Sequence, residues 1–323
     1  MSWCDNSRNV SDTLAREQLL TGILDFLGGQ DLLSAAQIRP VLERTINQAG
    51  SNALVALNER LTSDRGWSYY PPDPLAASVH YQLADHFLES GSRVSGCEHL
   101  TMVCGEPVAI VSNHLSYADA NVIQVLLHRT GYSAVANRLT ALAGPKVFVN
   151  RQRRFSSLCF GTIKVPQSSE VSSEEAVLSA REVARAARQA LDAAERRLAA
   201  GDALVLFGEG TRSRTTHMQR MLAGVARYLE FPGAWVLPVG VAGSEALFPI
   251  GDVTVRPARV YLSIGTPVRA DRLVTVTHAH RQTMMDVVGL MISELLPQRY
   301  RGIYARPDQF VNAAHAVRVA RGV

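Results

Sequence analysis

Asn113-His114-Leu115-Ser116-Tyr117-Ala118-Asp119 stands between two apolar runs. The run before it, Pro107 to Val111, reads as a buried strand. The run after it, Ala120 to His128, has helical spacing. A histidine and an aspartate with four residues between them therefore sit on a strand-to-helix turn. In an open α/β sheet, ligands bind outside the carboxyl ends of the strands. A turn of this length lets the carboxylate reach the imidazole, fix its tautomer and leave the other ring nitrogen free as a base. On these two residues alone, a helix-capping aspartate beside a satisfied turn histidine fits as well, because helix N-termini favour Asp.

A second stretch, Phe207-Gly208-Glu209-Gly210-Thr211-Arg212-Ser213-Arg214, follows another apolar run, Ala203 to Phe207. Two glycines bracket a glutamate and an arginine comes soon after. Taken with the first stretch, it resembles the glycerolipid acyltransferase superfamily, whose members carry Asn-His, four residues, Asp, and later Phe-Pro-Glu-Gly-Thr-Arg-Ser. Here Gly208 replaces the proline. Two weaker blocks are similar as well. Phe148-Val149-Asn150-Arg151 stands for Phe-Ile-Asp-Arg, with asparagine in place of the acid, and Leu237-Pro238-Val239 stands for Val-Pro-Val. The resemblance covers about residues 100 to 270. It implies an enzyme of phospholipid synthesis, with His114 and Asp119 catalytic and Asn113, Arg151, Glu209, Gly210, Thr211 and Arg212 binding substrate.

Composition fits a globular protein: 323 residues, 47% hydrophobic and 19% charged. Met1 to Asn9 is polar and carries no apolar core segment, and no run of about 18 apolar residues occurs, so neither a secretory signal nor a membrane span is expected. Cys4, Cys97, Cys104 and Cys159 lack metal-site spacing and read as reduced thiols of a cytoplasmic protein. The net charge of +4 is unevenly spread. From Ala120 to Ser169 there is no Asp or Glu, while Arg129, Arg138, Lys146, Arg151, Arg153, Arg154 and Lys164 fall inside it. Such a span calls for an anionic partner: a phosphorylated substrate, coenzyme A, an acidic acyl carrier protein or an anionic membrane. No motif for reading nucleic acid is present.

The expected fold is α/β, a central mixed and mostly parallel sheet flanked by helices and preceded by an N-terminal helical region. Three parts are expected: 1–95 helical, 96–275 the α/β domain, and 276–323 C-terminal helices packing on it. In the first, Ser11 and Asp31 read as helix caps, and Asp73-Pro74 is a strong helix start, an N-cap followed by proline at the first helical position. No strand is expected before residue 90. In the second, strands are expected at Val108–Val111, Ser133–Ala136, Thr162–Val165, Ala203–Phe207, Trp235–Val241 and Arg259–Ile264, and helices at Ala120–His128, Ser173–Ala199 and Met221–Leu229. A last helix is expected from about Thr277 to Leu296, closed by Pro297.

Acyl transfer from a thioester to an alcohol needs a base for the hydroxyl, a donor for the oxyanion and placement. His114 is the expected base and Asp119 its orienter, with no acyl-enzyme, since neither a Gly-x-Ser-x-Gly elbow nor a cysteine near a base is apparent. Arg212 and Arg151 are the expected phosphate binders. Gly208 and Gly210 are candidate amide donors, and Glu209 would orient an arginine or hold glycerol hydroxyls. Arg153 and Arg154 fit either a solvated face or a docking face. His278 and His280 form a His-Ala-His pair without a third metal ligand. The leading expectation is acylation of lysophosphatidic acid from acyl-CoA or acyl carrier protein, with no other cofactor and no metal, by a cytoplasmic protein in peripheral contact with anionic membrane. Glycerol 3-phosphate, another lysolipid or a sugar are alternative acceptors, water would make the protein a hydrolase, and a silent lipid- or carrier-binding protein is the alternative of another class.

Overall fold

Val108 to Ser112, the strand before the opening stretch, lies near the middle of a sheet that both layers of helices cover. The computed structural model describes residues 15–25, 32–149, 151–166, 178–251, 255–306 and 309–321. Among them nine strands form one sheet: β1 (Tyr69–Tyr70), β2 (Arg93–Ser95), β3 (Val108–Ser112), β4 (Leu139–Ala143), β5 (Gly161–Lys164), β6 (Ala203–Phe207), β7 (Trp235–Ala242), β8 (Tyr261–Ile264) and β9 (Val268–Arg269). The order is β1-β5-β4-β6-β3-β7-β8-β2, with β9 also on β7. The five central strands, β5 to β7 in that order, run parallel, while β8 and β9 pair antiparallel with β7 and β1 antiparallel with β5. The expected mixed, mostly parallel sheet is therefore the one found.

All five residues of β3 are buried, as a parallel strand covered on both faces requires. Successive side chains point to opposite faces. Val108 and Ile110 pack with Leu42, Leu57 and Val79 of the N-terminal helices and with Ile123. Ala109 and Val111 pack with Met284, Met285 and Val288. The helices are α1 (residues 15–25), α2 (Leu32–Gln48), α3 (Ser51–Thr62), α4 (Pro74–Phe87), α5 (Asp119–Arg129), α6 (Arg151–Ser157), α7 (Ala180–Ala199), α8 (Arg281–Glu294) and α9 (Gln309–Arg321), with shorter helical turns between them. Helix α4 starts as its sequence predicts. The Asp73 carboxylate accepts from the Leu75 and Ala76 amides, a cap worth about 1 kcal/mol. Helix α7 opens with a capping box between Ser179 and Glu182 and turns Ala186, Ala190, Ala193 and Ala194 inward, so it lies close on the sheet.

Several expectations need correction. Ser133–Ala136 is a short helix, and the strand lies just beyond it at Leu139–Ala143. Both runs are short and apolar, and periodicity does not separate helix from strand at that length. The helix expected at Met221–Leu229 is a 3₁₀ helix, Ala223–Leu229. The last long helix begins at Arg281, not Thr277, because His278 and Ala279 adopt positive φ of 51° and 57° and break the run. The N-terminal region does contain strands. Tyr69 and Tyr70 extend one edge of the sheet against β5, and Arg93–Ser95 forms the other edge. The boundary expected at residue 95 thus runs through a single sheet, and α2 to α4 share one core with it. Ser11, Asp31, Asn150 and the start of the helix expected from Ser173 lie outside the described residues.

Candidate active site

In three neighbouring parallel strands, β6, β3 and β7, Ser112 stands in register with both Phe207 and Val239, and β7 runs on to Ala242. Their carboxyl ends carry, in turn, Glu209, the His114–Asp119 turn, and Ser244. Asp119 is the first residue of α5, yet it does not cap that helix. Its carboxylate turns back over the preceding turn. Oδ2 accepts from His114 Nδ1 at 2.8 Å, from the Leu115 amide at 2.7 Å and from the Ser116 amide at 2.9 Å. Oδ1 accepts from the Ser244 hydroxyl at 2.6 Å. The capping interpretation of Asp119 is thereby excluded. A carboxylate only accepts, so the hydrogen on His114 sits on Nδ1 and the lone pair on Nε2.

The ring of His114 stacks on Phe207, with centroids 4.1 Å apart and planes 15° from parallel. Its backbone is held on both sides by the second stretch. The His114 amide donates to Glu209 Oε1 at 3.0 Å, and its carbonyl accepts from the Ser213 amide at 2.8 Å. Asn113 is fully buried and reaches β7 instead of the cavity: its side-chain amide donates to the Val241 carbonyl and accepts from the Val241 amide. It extends the ladder past the last strand residue and so braces the turn.

Glu209 lines the cavity and braces the site as well. Its two oxygens accept from the His114 and Gln219 amides, which ties the two halves of the site together. Burial pushes its carboxyl up to about 7, against the lowering effect of those two amides. Gly208 leaves room for Met221, whose sulfur would lie 2.2 Å from an added Cβ. The Gly208 amide goes to the Ser112 carbonyl and the Gly210 amide to the Phe207 carbonyl, so neither is the expected donor to substrate. Gly210, with φ of 70°, makes the turn that brings exposed Thr211 and half-buried Arg212 to the cavity rim. Arg212 lies with its guanidinium carbon 4.2 Å from the ring centroid of Tyr117 and donates to the Phe248 carbonyl at 3.4 Å.

The three arginines of α6 part company. Residues two apart lie on opposite sides of a helix. Arg151 is exposed and donates to Asn58 at 3.2 Å, while Arg153 lies 4.4 Å from the centroid of the same Tyr117 ring. Arg154 is buried, 2% exposed, over the rings of Tyr70 and Phe148, and donates to the Arg60 carbonyl. It cannot belong to a docking face. Nor do the others form one open surface: Arg129 pairs with Asp85, Lys164 with Asp64, and Arg138 donates to the Gly201 carbonyl.

A cavity of about 1090 Å³ opens at this end of the sheet. His114, Tyr117, Glu209, Arg153 and Arg212 line it, together with two apolar walls. One wall is Ile23, Leu83, Phe87 and Val122 on the α4–α5 side. The other is Leu142, Leu191, Val225 and Tyr228 beneath α7 and the 3₁₀ helix. Cys159 also lines it, but its thiol points to the Ala76 carbonyl and burial pushes it far up, so it is held protonated. Among the described residues, no cluster of metal-ligating side chains occurs, and no helix is long and apolar enough to cross a membrane. His280 caps α8 by accepting from the Thr283 amide.

Ser244, Tyr117 and Phe207 were not singled out from the sequence. Ser244 follows Gly243, whose φ of 93° turns the chain at the end of β7. A Gly-Ser pair after an apolar strand is the signal available, and it is a weak one.

Residues 91–242, the stretch that holds β3 to β7 with both sequence blocks, match the Acyltransferase family. The match upholds the likeness to the glycerolipid acyltransferase superfamily. No curated protein matches the chain. Among solved structures, the chain is similar to the 1-acyl-sn-glycerophosphate acyltransferase PlsC from Thermotoga maritima, at 19% identity and a TM-score of 0.44, over 89% of this chain and 97% of that one.

Proposed function

We propose that this protein moves a fatty acyl group from a thioester to the free hydroxyl of lysophosphatidic acid. The observation that supports this most is the His114–Asp119 pair, with Nδ1 engaged at 2.8 Å and the ring lining a large, mainly apolar cavity that Arg153 and Arg212 also line. Nε2 takes the hydroxyl proton as the oxygen attacks the thioester carbonyl. The tetrahedral oxyanion then collapses, the carbon–sulfur bond breaks, and the thiolate takes a proton from the imidazolium. Asp119 steadies the imidazolium while it exists. Direct transfer is favoured over an acyl-enzyme because the cavity's thiol, Cys159, is buried and protonated. Acyl-CoA and acyl carrier protein are both suitable donors, and the reaction as written uses no further cofactor. The apolar walls would take the acyl chains and the arginines the phosphate.

The test is a panel on purified full chain. Lysophosphatidate, glycerol 3-phosphate, other lysolipids and water are crossed with acyl-CoA and acyl carrier protein donors. Lysophosphatidate should give the highest kcat/KM. A higher value for glycerol 3-phosphate or for a neutral acceptor would replace the proposed acceptor, and thioester hydrolysis alone would make the protein a hydrolase.

A further inference from the structure

Tyr117 follows the base by three residues, is 39% exposed, and has two guanidinium groups on its ring. They arrive from different elements: Arg153 from α6 at 4.4 Å and Arg212 from the loop after β6 at 4.2 Å. Each is measured from the same ring centroid, so the two cationic carbons can be no farther apart than those distances combined. A third element fixes the ring, because Phe248 meets it edge-on at 6.1 Å and 75°, while the Phe248 carbonyl accepts from Arg212. Two like charges gathered at a cavity mouth repel each other, and a ring face offsets part of that repulsion. Two guanidinium groups so placed can grip an anion of matching charge. Guanidinium stacks on a ring and still presents its planar fork to phosphate oxygens.

We propose that Tyr117 is a specificity-determining positioning residue that holds Arg153 and Arg212 as a two-cation clamp for a phosphate monoester, and that Arg153 rather than Arg151 is the partner of Arg212. This rests on the acyl-transfer reading above and names the headgroup chemistry of its acceptor. A phosphate monoester carries close to two negative charges at neutral pH, a diester one. Two fixed cations therefore favour the monoester, and the spacing of Tyr117 from His114 sets where the phosphate lies relative to the base. A phosphate monoester also occurs on coenzyme A, so donor and acceptor must be told apart.

The full chain and its Tyr117→Leu, Tyr117→Phe, Arg153→Ala, Arg153→Lys and Arg151→Ala variants are titrated with hexanoyl lysophosphatidate, too short to need a bilayer, and separately with coenzyme A. Turnover is then measured with hexanoyl lysophosphatidate and with the phosphodiester lysolipid of the same acyl chain. Tyr117→Leu and Arg153→Ala should weaken lysophosphatidate binding about tenfold and lower the monoester-to-diester ratio of kcat/KM by a similar factor. Coenzyme A binding should stay as it was, which also shows that these variants fold. Tyr117→Phe should bind as the parent does, Arg153→Lys should lie between, and Arg151→Ala should lose less than Arg153→Ala. The clamp is refuted if Tyr117→Leu binds like the parent, if Arg151→Ala loses more than Arg153→Ala, or if coenzyme A binding falls instead. A parent chain that does not bind lysophosphatidate refutes it too. A parent that binds lysophosphatidate but never acylates it leaves the clamp standing and refutes acyl transfer.

Discussion

The hydroxyl of Ser244 donates to Oδ1 of Asp119 across 2.6 Å, and both side chains are wholly buried. This bond joins the end of β7 to the His114–Asp119 turn after β3. It occupies the one carboxylate oxygen that the His114 turn leaves open, and so fixes the carboxylate's rotation and, through it, the imidazole plane. Hydrogen bonds to charged groups contribute about 1.5–3 kcal/mol. We expect Ser244→Ala to lower kcat about tenfold while the constants for donor and acceptor hold, since Ser244 is not among the cavity-lining residues. A merely structural role would lower the thermal midpoint without that split between kcat and KM.

His114→Ala should lower turnover about a hundredfold to ten-thousandfold, the usual cost of losing a general base. Asp119→Asn should act in the same direction but with a second effect. The carboxylate also holds the Leu115 and Ser116 amides, and a neutral amide there takes the charge from those bonds. We expect Asp119→Asn to lose about 1–3 kcal/mol of stability, and His114→Ala much less. Normal turnover by a folded His114→Ala protein would falsify the base assignment.

How far these relationships can be read from sequence depends on their span. The His114–Asp119 pair lies within one turn, so its spacing on a strand-to-helix junction is enough to find it. The bond from Ser244 spans 125 residues, and no local pattern announces it. Glu209 shows the same limit: its glycine-flanked place marks it as part of the site, but its partners, the His114 and Gln219 amides, are set by packing. Arg151, Arg153 and Arg154 read as one basic cluster, and the turn of α6 sends them to three different surroundings. The parallel strands were legible because they are continuous apolar runs. Leu139–Ala143 was not, because Leu-Thr-Ala-Leu-Ala carries little β-branched character.

Glu209 makes stability depend on pH. Its carboxyl, ordinarily near 4.5, is pushed up to about 7 in the fold, chiefly by burial. Between those values the folded state keeps a proton that the unfolded state has lost. Stability contributed by this group therefore falls as pH rises from about 4.5 to about 7, then levels off. Glu209→Gln removes the titration. The thermal midpoint of the parent relative to Glu209→Gln should decline across that window and be flat above it. A difference that does not vary with pH would mean that Glu209 stays ionised throughout.

Arg154 is expected to serve stability. Its guanidinium lies over Tyr70 and Phe148 and joins α6 to the edge strand β1. Arg154→Ala removes a large buried side chain and its bond to the Arg60 carbonyl, and should cost about 2–5 kcal/mol, measured by denaturant unfolding. Acceptor binding in the fraction that stays folded should be unchanged. A large loss of acceptor affinity at full stability would give Arg154 a part in acceptor binding instead.

The last expectation concerns where the acyl chains come from. Beside the cavity, the short helix Lys146–Val149 carries Val149, which is 72% exposed, with Lys146 and exposed Arg151 lining the rim. An apolar side chain flanked by basic ones suits the headgroup region of an anionic bilayer, where each Lys or Arg contributes roughly 1 kcal/mol that fades with salt. We expect reversible docking through this rim, which would let acyl chains pass between bilayer and cavity without crossing water. Because Arg154 is buried and Arg153 lies on Tyr117, the variants that report on docking are Lys146→Ala/Arg151→Ala and Val149→Asp. Vesicle sedimentation should rise with anionic lipid, fall with salt, and weaken in both variants. An acidic acyl carrier protein is the competing occupant of the same rim. If anionic vesicles leave the protein in the supernatant at low salt, while the Lys146→Ala/Arg151→Ala protein loses turnover only with acyl carrier protein as donor, the rim belongs to the carrier and the membrane assignment fails.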